Sequence, residues 1–294
     1  MQRGDIMAKS KNLSDYQVSQ SNGKVANVII WILLSIWTLV NLYPLYWMVL
    51  FSLKNDTEVY SNKFGLPKEW AWKNYQTAMR VGNIGRNYLN SIIVAFATIL
   101  ITLVAASMAT YALTRIRWRG AGLMHKIFLL GITIPVQSSI VPVFVVLNKL
   151  KLRESYFAMI LPYSAFALAM GILICAGFMT EIPKELDEAA YIDGCGRARV
   201  FFKVIVPLMK PAVATVSIYT FMQCWNELIF ATIFIDKSYL FTIPVGIQQL
   251  VGTFTTSWGS VGAALTIATV PTVIAYILLS RRIQESFIAG AIKG

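Results

Sequence analysis

The chain has 294 residues, of which 56% are hydrophobic and only 14% are charged. Because a soluble domain needs a charged surface, with about 25% charged residues on average, this composition excludes an ordinary soluble protein and favours one embedded in lipid. The net charge of +12 is compatible with a nucleic-acid partner, but basic residues also flank membrane spans, and we expect no nucleic acid to bind. One histidine and three cysteines, without the spacing of metal ligands, predict neither a metal site nor a disulfide framework.

The first 24 residues are polar and contain no signal-peptide pattern, so we expect a flexible cytoplasmic tail over residues 1–24. The remainder, residues 25–294, is interpreted as one transmembrane domain. About 20 apolar residues are needed for a helix to cross the hydrocarbon core, and an open sheet edge is not tolerated there. The sequence therefore predicts an all-α membrane protein with six transmembrane helices, over residues 25–53, 88–114, 127–147, 155–178, 212–235 and 261–280.

The orientation follows from the distribution of the 26 lysines and arginines. If the N-terminus lies inside, the inner segments carry 16 of them and the outer segments carry 10. Because cytoplasmic loops are enriched in basic residues, this distribution predicts that both termini lie inside, although the short outer loop 148–154 carries three basic residues and opposes it. The long outer loop 54–87 is expected to contain a surface helix. The loop 236–260 is too polar to span and is expected to dip toward the central cavity.

The inner loop over residues 180–211 predicts a cytoplasmic helix–turn–helix. Pro183 suits the first turn of a helix, where its missing N–H leaves nothing unpaired, and the acidic residues that follow complement the helix dipole. Gly194 is typical of a helix C-terminus, and a second helix is expected to end before Pro207. Small residues ahead of Gly194 would let a partner backbone approach closely. We interpret the loop as a docking element, and an ordinary solvated loop is the alternative.

The same loop carries a spaced motif. Glu188-Ala189-Ala190 is followed after three residues by Gly194, and after nine more by Val204-x-Val206-Pro207. This pattern resembles the EAA signature of binding-protein-dependent ABC importer permeases, with two valines where that family usually has Ile and Leu. The resemblance extends over most of the chain and indicates the carbohydrate-uptake branch, with the subunit similar to the smaller maltose-transporter permease. The supporting stretches are residues 74–75, 86–91, 111–115, 134–137, 225–227 and 289–294.

The resemblance implies a permease subunit rather than an enzyme, in a bacterial-type cytoplasmic membrane. Its implied partners are a second permease in a heterodimer, two ATPase subunits and an extracytoplasmic binding protein that delivers a sugar or oligosaccharide. This chain would bind no cofactor itself, since it lacks a G-x-x-x-x-G-K-[ST] phosphate loop. ATP and magnesium would be bound by the ATPase subunits. The residues implied to couple to those subunits are Glu188, Ala189, Ala190, Asp193, Gly194 and Pro207.

Glu227 is the only ionisable residue within a predicted span, and a charge in mid-bilayer is costly. On a helix, Gln223 and Glu227 would share a polar stripe with residues 217, 220 and 224, with Asn226 on its flank. Such a stripe should face protein or water, and the ring of Trp225 is suited to stacking on a sugar. The predicted translocation path therefore consists of Gln223, Trp225, Asn226 and Glu227. Alternatively, Glu227 pairs with a polar group of the partner permease and holds the bundle together.

Two other classes of function fit the sequence less well. A secondary transporter or channel working without ATPases normally carries more intramembrane charge for ion coupling. A membrane-embedded enzyme would need paired acids or histidines near the membrane. Within the favoured class, a polyol or a glycerol-phosphate-type solute is the alternative cargo.

Overall fold

Helices account for all the regular secondary structure in the residues that the computed structural model describes, 3–252 and 256–291. Residues 253–255, in the loop expected before the last span, and residues 292–294, at the end of the stretch 289–294, lie outside them. The helices are α1 (Arg3–Ser52), α2 (Asp56–Ser61), α3 (Lys73–Arg80), α4 (Ile84–Thr114), α5 (Ala121–Thr133), α6 (Ile140–Lys149), α7 (Phe157–Glu181), α8 (Glu185–Ile192), α9 (Arg197–Leu208), α10 (Lys210–Trp225), α11 (Ile229–Phe234), α12 (Ile243–Gln249) and α13 (Trp258–Ala291).

Four helical segments are long and apolar enough to cross a membrane unbroken. They are Ala26–Ser52, Ile84–Thr114, Phe157–Glu181 and Trp258–Leu278. Two more spans would each consist of two helices, Ala121–Thr133 with Val136–Lys149, bent by 98°, and Arg197–Leu208 with Lys210–Trp225, bent by 75°. The described chain therefore has four to six spans, and the predicted all-α membrane fold is confirmed.

The bent spans differ from the single helices predicted over 127–147 and 212–235. At the first bend Pro135 has no N–H to donate and holds Ile134 in extended backbone, so α5 ends there. The second expected stretch begins after the bend at Met209 and is interrupted once, because α10 ends at Trp225 and three residues separate it from α11.

The tail expected to be flexible over residues 1–24 is helical from Arg3 onward, in one helix with the first span. Adding a residue to an existing helix is much easier than starting one, because the nucleation cost has already been met. The first proline inside α1 is Pro44, far beyond the tail. A polar composition alone therefore did not predict the conformation of this segment.

The bundle is centred on α4 and α7, which pack together along much of their length, with α10 against both. The three helices approach closely at Gly171 of α7. A Cβ added there would lie 3.1 Å from the Cβ of Ala106 and 3.5 Å from Cγ1 of Val216. Since lipid is as apolar as these side chains, close approach between small residues, rather than the hydrophobic effect, favours helix association in a membrane.

The loop helices α8 and α9 are part of this bundle. Ala190 of α8 and Val200 of α9 are buried in one cluster with Ile172 and Met179 of α7 and Tyr111 of α4. The helix pair α8 and α9 therefore rests on the ends of two spans, and its position is fixed by packing.

The loop after α10 and α11 also packs against α4. The side-chain amide of Asn90 donates to the carbonyl oxygens of Tyr239 (3.0 Å) and Phe241 (2.9 Å). The hydroxyl of Ser91 accepts the N–H of Ile243 at 2.8 Å. These bonds place α12 beside the start of the second span.

The loop between α1 and α4 folds over a buried lysine. Lys54 is 1% exposed, and its ammonium group donates to the carbonyl oxygens of Asn62 (2.5 Å) and Lys63 (3.3 Å). The carboxylate of Glu58 accepts the N–H of Lys68 at 2.8 Å, and this bond lowers the pKa of Glu58 below its ordinary value. The expected surface helix of this loop is thus two short helices, α2 and α3.

We predict that Gly171→Leu weakens the bundle, because three helices already meet where its side chain would lie. Overpacking of this kind costs about 1–3 kcal/mol. The matched control is Gly177→Leu, six residues further along α7, where nothing lies within 4 Å of an added Cβ. Thermal unfolding of the detergent-purified protein measures the difference. Equal unfolding temperatures for the two variants would contradict the close packing at Gly171.

Candidate functional site

The helix α8 begins and ends where its local sequence requires. Lys184 precedes it, and Glu185, Asp187 and Glu188 lie in its first turn, where negative charge offsets the partial positive charge of the exposed N–H groups. At the other end Gly194 has φ +77°, in the left-handed region that side chains rarely adopt. Its N–H donates to the carbonyl of Tyr191 at 3.0 Å. The glycine of the motif therefore ends the helix and turns the chain toward α9.

The motif residues divide between the two faces of α8. Glu188, Ala189 and Asp193 are exposed, while Ala190 is buried against the bundle. The grouping of Ala190 with a partner-facing surface is thus corrected, because a small side chain there allows α8 to approach its own chain. The exposed face also holds Ile192, which is 86% exposed. Sequence reasoning missed this residue, although an apolar side chain beside Asp193 on a loop helix is a usable signal.

The second loop helix does not end before Pro207 as expected. It continues to Leu208, with Pro207 exposed and a π-helical turn at Phe201–Ile205 ahead of it. Proline cannot donate the usual helical hydrogen bond, and its ring clashes with the carbonyl four residues earlier. A π turn, whose bonds run five residues back, is a local change that relieves such a conflict. Pro207 therefore lies within the helix rather than after it.

The polar stripe expected along span five is divided by the end of α10. The helix stops at Trp225, and the side-chain amide of Asn226 folds back onto the carbonyl of Met222 at 2.9 Å. Side chains of this kind compete with the backbone for hydrogen bonds and favour helix ends. Thr220 and Cys224 are buried inside the bundle, whereas Gln223 is exposed. Glu227 consequently lies beyond the helix on which its position was predicted.

The carboxylate of Glu227 has three partners within its own chain. It accepts the N–H groups of Phe230 (2.9 Å) and Ala231 (3.2 Å), in the first turn of α11. Its other contact is the hydroxyl of Tyr163 on α7, at 2.5 Å. A carboxylate at a helix N-terminus satisfies donors that have no partner in the helix and complements the dipole. Sequence reasoning missed Tyr163, although the hydroxyl of a tyrosine inside an apolar span needs a partner.

A cavity of about 630 Å³ opens beside this break, and Gln137, Gln223, Asn226 and Glu227 contribute its polar lining. The structure thus brings together three of the four residues predicted for the path and adds Gln137, from the turn before α6. Trp225 does not line this cavity. It is 3% exposed, its ring NH donates to the carbonyl of Ala268 at 3.0 Å, and its ring packs against Tyr88 and Phe221. The expectation that Trp225 stacks on a sugar is corrected, because its faces are covered.

A second cavity of about 630 Å³ lies beside α8 and is lined by charged residues that include Arg117, Lys184, Glu188 and Arg197. It is bounded by the end of α4 and the start of α9. Across the described residues, no group of three or more histidine, cysteine or acidic side chains could hold a metal ion, and Cys175, Cys195 and Cys224 are unpaired.

We predict that Glu227→Leu loses folded protein, because two N–H groups and one tyrosine hydroxyl are left without their acceptor. Each unpaired buried group costs about 1–3 kcal/mol. Glu227→Gln keeps the shape and one acceptor oxygen, so its loss should be smaller. Gln223→Leu is the control, since it lines the same cavity and its one side-chain bond is to Tyr219 at 3.3 Å. The yield of monodisperse protein and its unfolding temperature are the measurements. A Glu227→Leu variant as stable as the control would contradict the capping role of Glu227.

The chain matches the family described as binding-protein-dependent transport system inner membrane component over residues 99–288. The diacetylchitobiose uptake system permease protein NgcG of Streptomyces coelicolor is 31% identical over 89% of this chain and 87% of its own length. The trehalose transport system permease protein SugB of Mycobacterium tuberculosis is 32% identical over 86% of this chain and 93% of its own length.

The fold is also similar to that of a solved structure. A chain in the crystal structure of a bacterial ABC transporter involved in the import of the acidic polysaccharide alginate superposes with a TM-score of 0.78 at 20% identity. The match covers 88% of this chain and 97% of that chain. The chain therefore belongs to the family of binding-protein-dependent transport system inner membrane components, and it is a permease subunit of an ABC importer rather than an enzyme.

Proposed function

We propose that this permease imports a sugar or oligosaccharide that an extracytoplasmic binding protein delivers. The support comes from the relatives above, two of which are named for the disaccharides diacetylchitobiose and trehalose. A polyol or glycerol-phosphate-type cargo has no such support and is not favoured. Transport without ATPases is disfavoured by membership of a binding-protein-dependent family.

The exposed face of α8 is the proposed docking surface for an ATPase subunit, and Ile192 is the observation that carries this assignment. At 86% exposure it presents apolar surface between charged neighbours, on a helix whose other face is buried. Glu188, Ala189 and Asp193 share the exposed face, and Gly194 adds a turn with open space around it. Burying Ile192 in a cleft of the ATPase would favour binding. The charged residues around it would determine which partner binds and how α8 is positioned in the cleft. ATP and magnesium would be bound by that partner.

The proposed assembly contains a second permease, two ATPase subunits and the binding protein. With both termini inside, α8 and α9 lie on the cytoplasmic side, where ATP is available. The loop that carries α2 and α3 and the loop that carries α12 then lie outside, facing the binding protein. The excess of basic residues on the inner segments supports this orientation.

The cavity beside the break in span five is the proposed contribution of this chain to the translocation path. Gln137, Gln223 and Asn226 are exposed and lie around Glu227. Sugar hydroxyls need donors and acceptors along their path, and amide side chains supply both. The second permease would close the open side of this cavity. The Glu227→Gln variant, which keeps the shape of the site, tests this role through its rate of uptake in the assembled importer.

We predict that Glu188→Lys or Gly194→Trp uncouples ATP hydrolysis from transport. The first reverses a charge on the exposed face of α8, and the second places a large side chain where φ is +77° and the turn is open. Binding-protein-stimulated ATP turnover of the purified complex should fall at least roughly tenfold, as for a central interface contact. Glu181→Lys, an equal charge reversal at the end of α7, is the control. Full stimulated turnover in both test variants would show that α8 is not the docking surface.

We predict that single cysteines replacing Ser61 and Ser238 react with an impermeant thiol reagent added to intact cells. One replacing Ser286 should react only after the cells are opened, because both termini are expected inside. The natural cysteines Cys175 and Cys224 are buried, so a protein that carries Cys195→Ser should show little background labelling. Labelling of the cysteine at position 286 in intact cells would contradict the predicted orientation.

A further inference from the structure

The second span ends in an arginine that joins three elements of the structure. Arg115 follows the last residue of α4, and its Nη1 lies 3.2 Å from Oδ2 of Asp187 on α8. Its Nη2 donates to the carbonyl oxygens of Met179 (2.8 Å) and Ile182 (2.5 Å) at the end of α7. Both charged side chains are buried, with exposures of 3% for Arg115 and 9% for Asp187. One guanidinium group therefore holds the ends of two spans and the first turn of α8.

A second contact joins the same two helices one turn away. The hydroxyl of Tyr111, four residues before Arg115, lies 3.2 Å from the hydroxyl of Tyr191, four residues after Asp187. The Tyr111 hydroxyl also donates to the carbonyl of Arg197 at the start of α9, at 3.4 Å. Residues four apart lie on one face of a helix. The facing sides of α4 and α8 thus meet at two points, and α8 cannot turn about its axis without breaking one of them.

The energetics of this contact indicate a role other than stability. Removing two opposite charges from water costs several kcal/mol per ion, and an apolar pair of similar volume is often as stable or more so. What an arginine adds is geometry, since its planar fork directs donors to fixed acceptors. The carbonyls of Met179 and Ile182 are end-of-helix groups that need donors. A rigid junction between α8 and two spans is what this arrangement provides.

We propose that Arg115 is a positioning residue that transmits movement of α8 to the second and fourth spans through Asp187 and the carbonyls at the end of α7. This inference rests on the proposed function, because it requires α8 to move with an ATPase. The two residues sit behind the docking surface rather than on it: Asp187 is buried, whereas Glu188 beside it is exposed. Loss of the pair should therefore leave the ATPases bound while movement is no longer passed on.

The test uses the assembled importer in proteoliposomes with its loaded binding protein, and it measures solute imported per ATP hydrolysed. Asp187→Asn removes the charge and keeps the shape. The double variant Arg115→Gln/Asp187→Leu leaves no buried charge unpaired and keeps an amide donor near the carbonyls of Met179 and Ile182, so it guards against misfolding of the single variant. Both should keep their ATPase subunits and basal ATP turnover, while solute per ATP falls roughly fivefold or more, as for the loss of a coupling free energy.

Two further variants serve as an intermediate case and as a control for solute imported per ATP. Arg115→Lys keeps the charge but cannot contact Asp187 and both carbonyl oxygens at once, so it should lose part of the coupling. Glu181→Gln removes an exposed charge at the end of α7, outside the proposed docking surface on α8, and should transport normally. A merely structural role would lower the amount of assembled complex and leave solute per ATP unchanged.

The outcomes separate this inference from the proposed function. If Asp187→Asn and the double variant import as much solute per ATP as Glu181→Gln, while Glu188→Lys uncouples, then α8 docks but Arg115 does not transmit its movement. If Glu188→Lys also couples normally, the proposed function fails and this inference fails with it. Reduced solute per ATP in both variants, with the ATPases still bound, supports the inference.

Discussion

A break in a helix that is buried in protein or lipid leaves backbone groups that water cannot reach, and this constraint explains where Glu227, Arg115 and Asn90 lie. Glu227 accepts the N–H groups at the start of α11, and Arg115 donates to the carbonyls at the end of α7. Asn90 donates to the two carbonyls ahead of α12. Polar residues therefore join helix ends to neighbouring helices, and the breaks are held in place rather than left loose.

The same constraint locates both candidate surfaces. A continuous helix presents no unpaired backbone and needs no polar neighbour, so its surface can be wholly apolar, as in much of α1. At the break in span five, polar side chains that satisfy the backbone also line a cavity, and Glu227 does both. Ahead of α8, the guanidinium group of Arg115 that satisfies the end of α7 also holds α8. One side chain can therefore serve both its structural role and the functional role that we propose for it.

The sequence predicted the elements that depend on composition and local spacing. The spans follow from long apolar runs, and the turn at Gly194 follows from a motif in which only glycine adopts the required φ readily. The end of α10 at Trp225 was not predicted, because the helical pattern of polar residues was continued across Asn226. That pattern does not show that the side-chain amide of Asn226 folds back onto the helix and ends it. Contacts between distant residues were also missed. Tyr163 lies 64 residues before Glu227, and no local pattern connects them.

The burial of Ala190 gives a more specific reason for the two adjacent alanines of the motif. From the sequence, Ala189 and Ala190 were interpreted together as small residues that leave room for a partner. Successive helical residues lie about 100° apart, so Ala189 and Ala190 cannot serve the same neighbour equally. In the structure Ala190 and Asp187, three residues apart, face the bundle, while Glu188 and Ala189 face outward. Ala190 thus lets α8 approach the bundle, whereas Ala189 lies on the exposed face that we propose as the docking surface. A helix clamped on one side and open on the other can carry a push from a partner into the spans, whereas a helix loose on both sides would turn or slide under the same force.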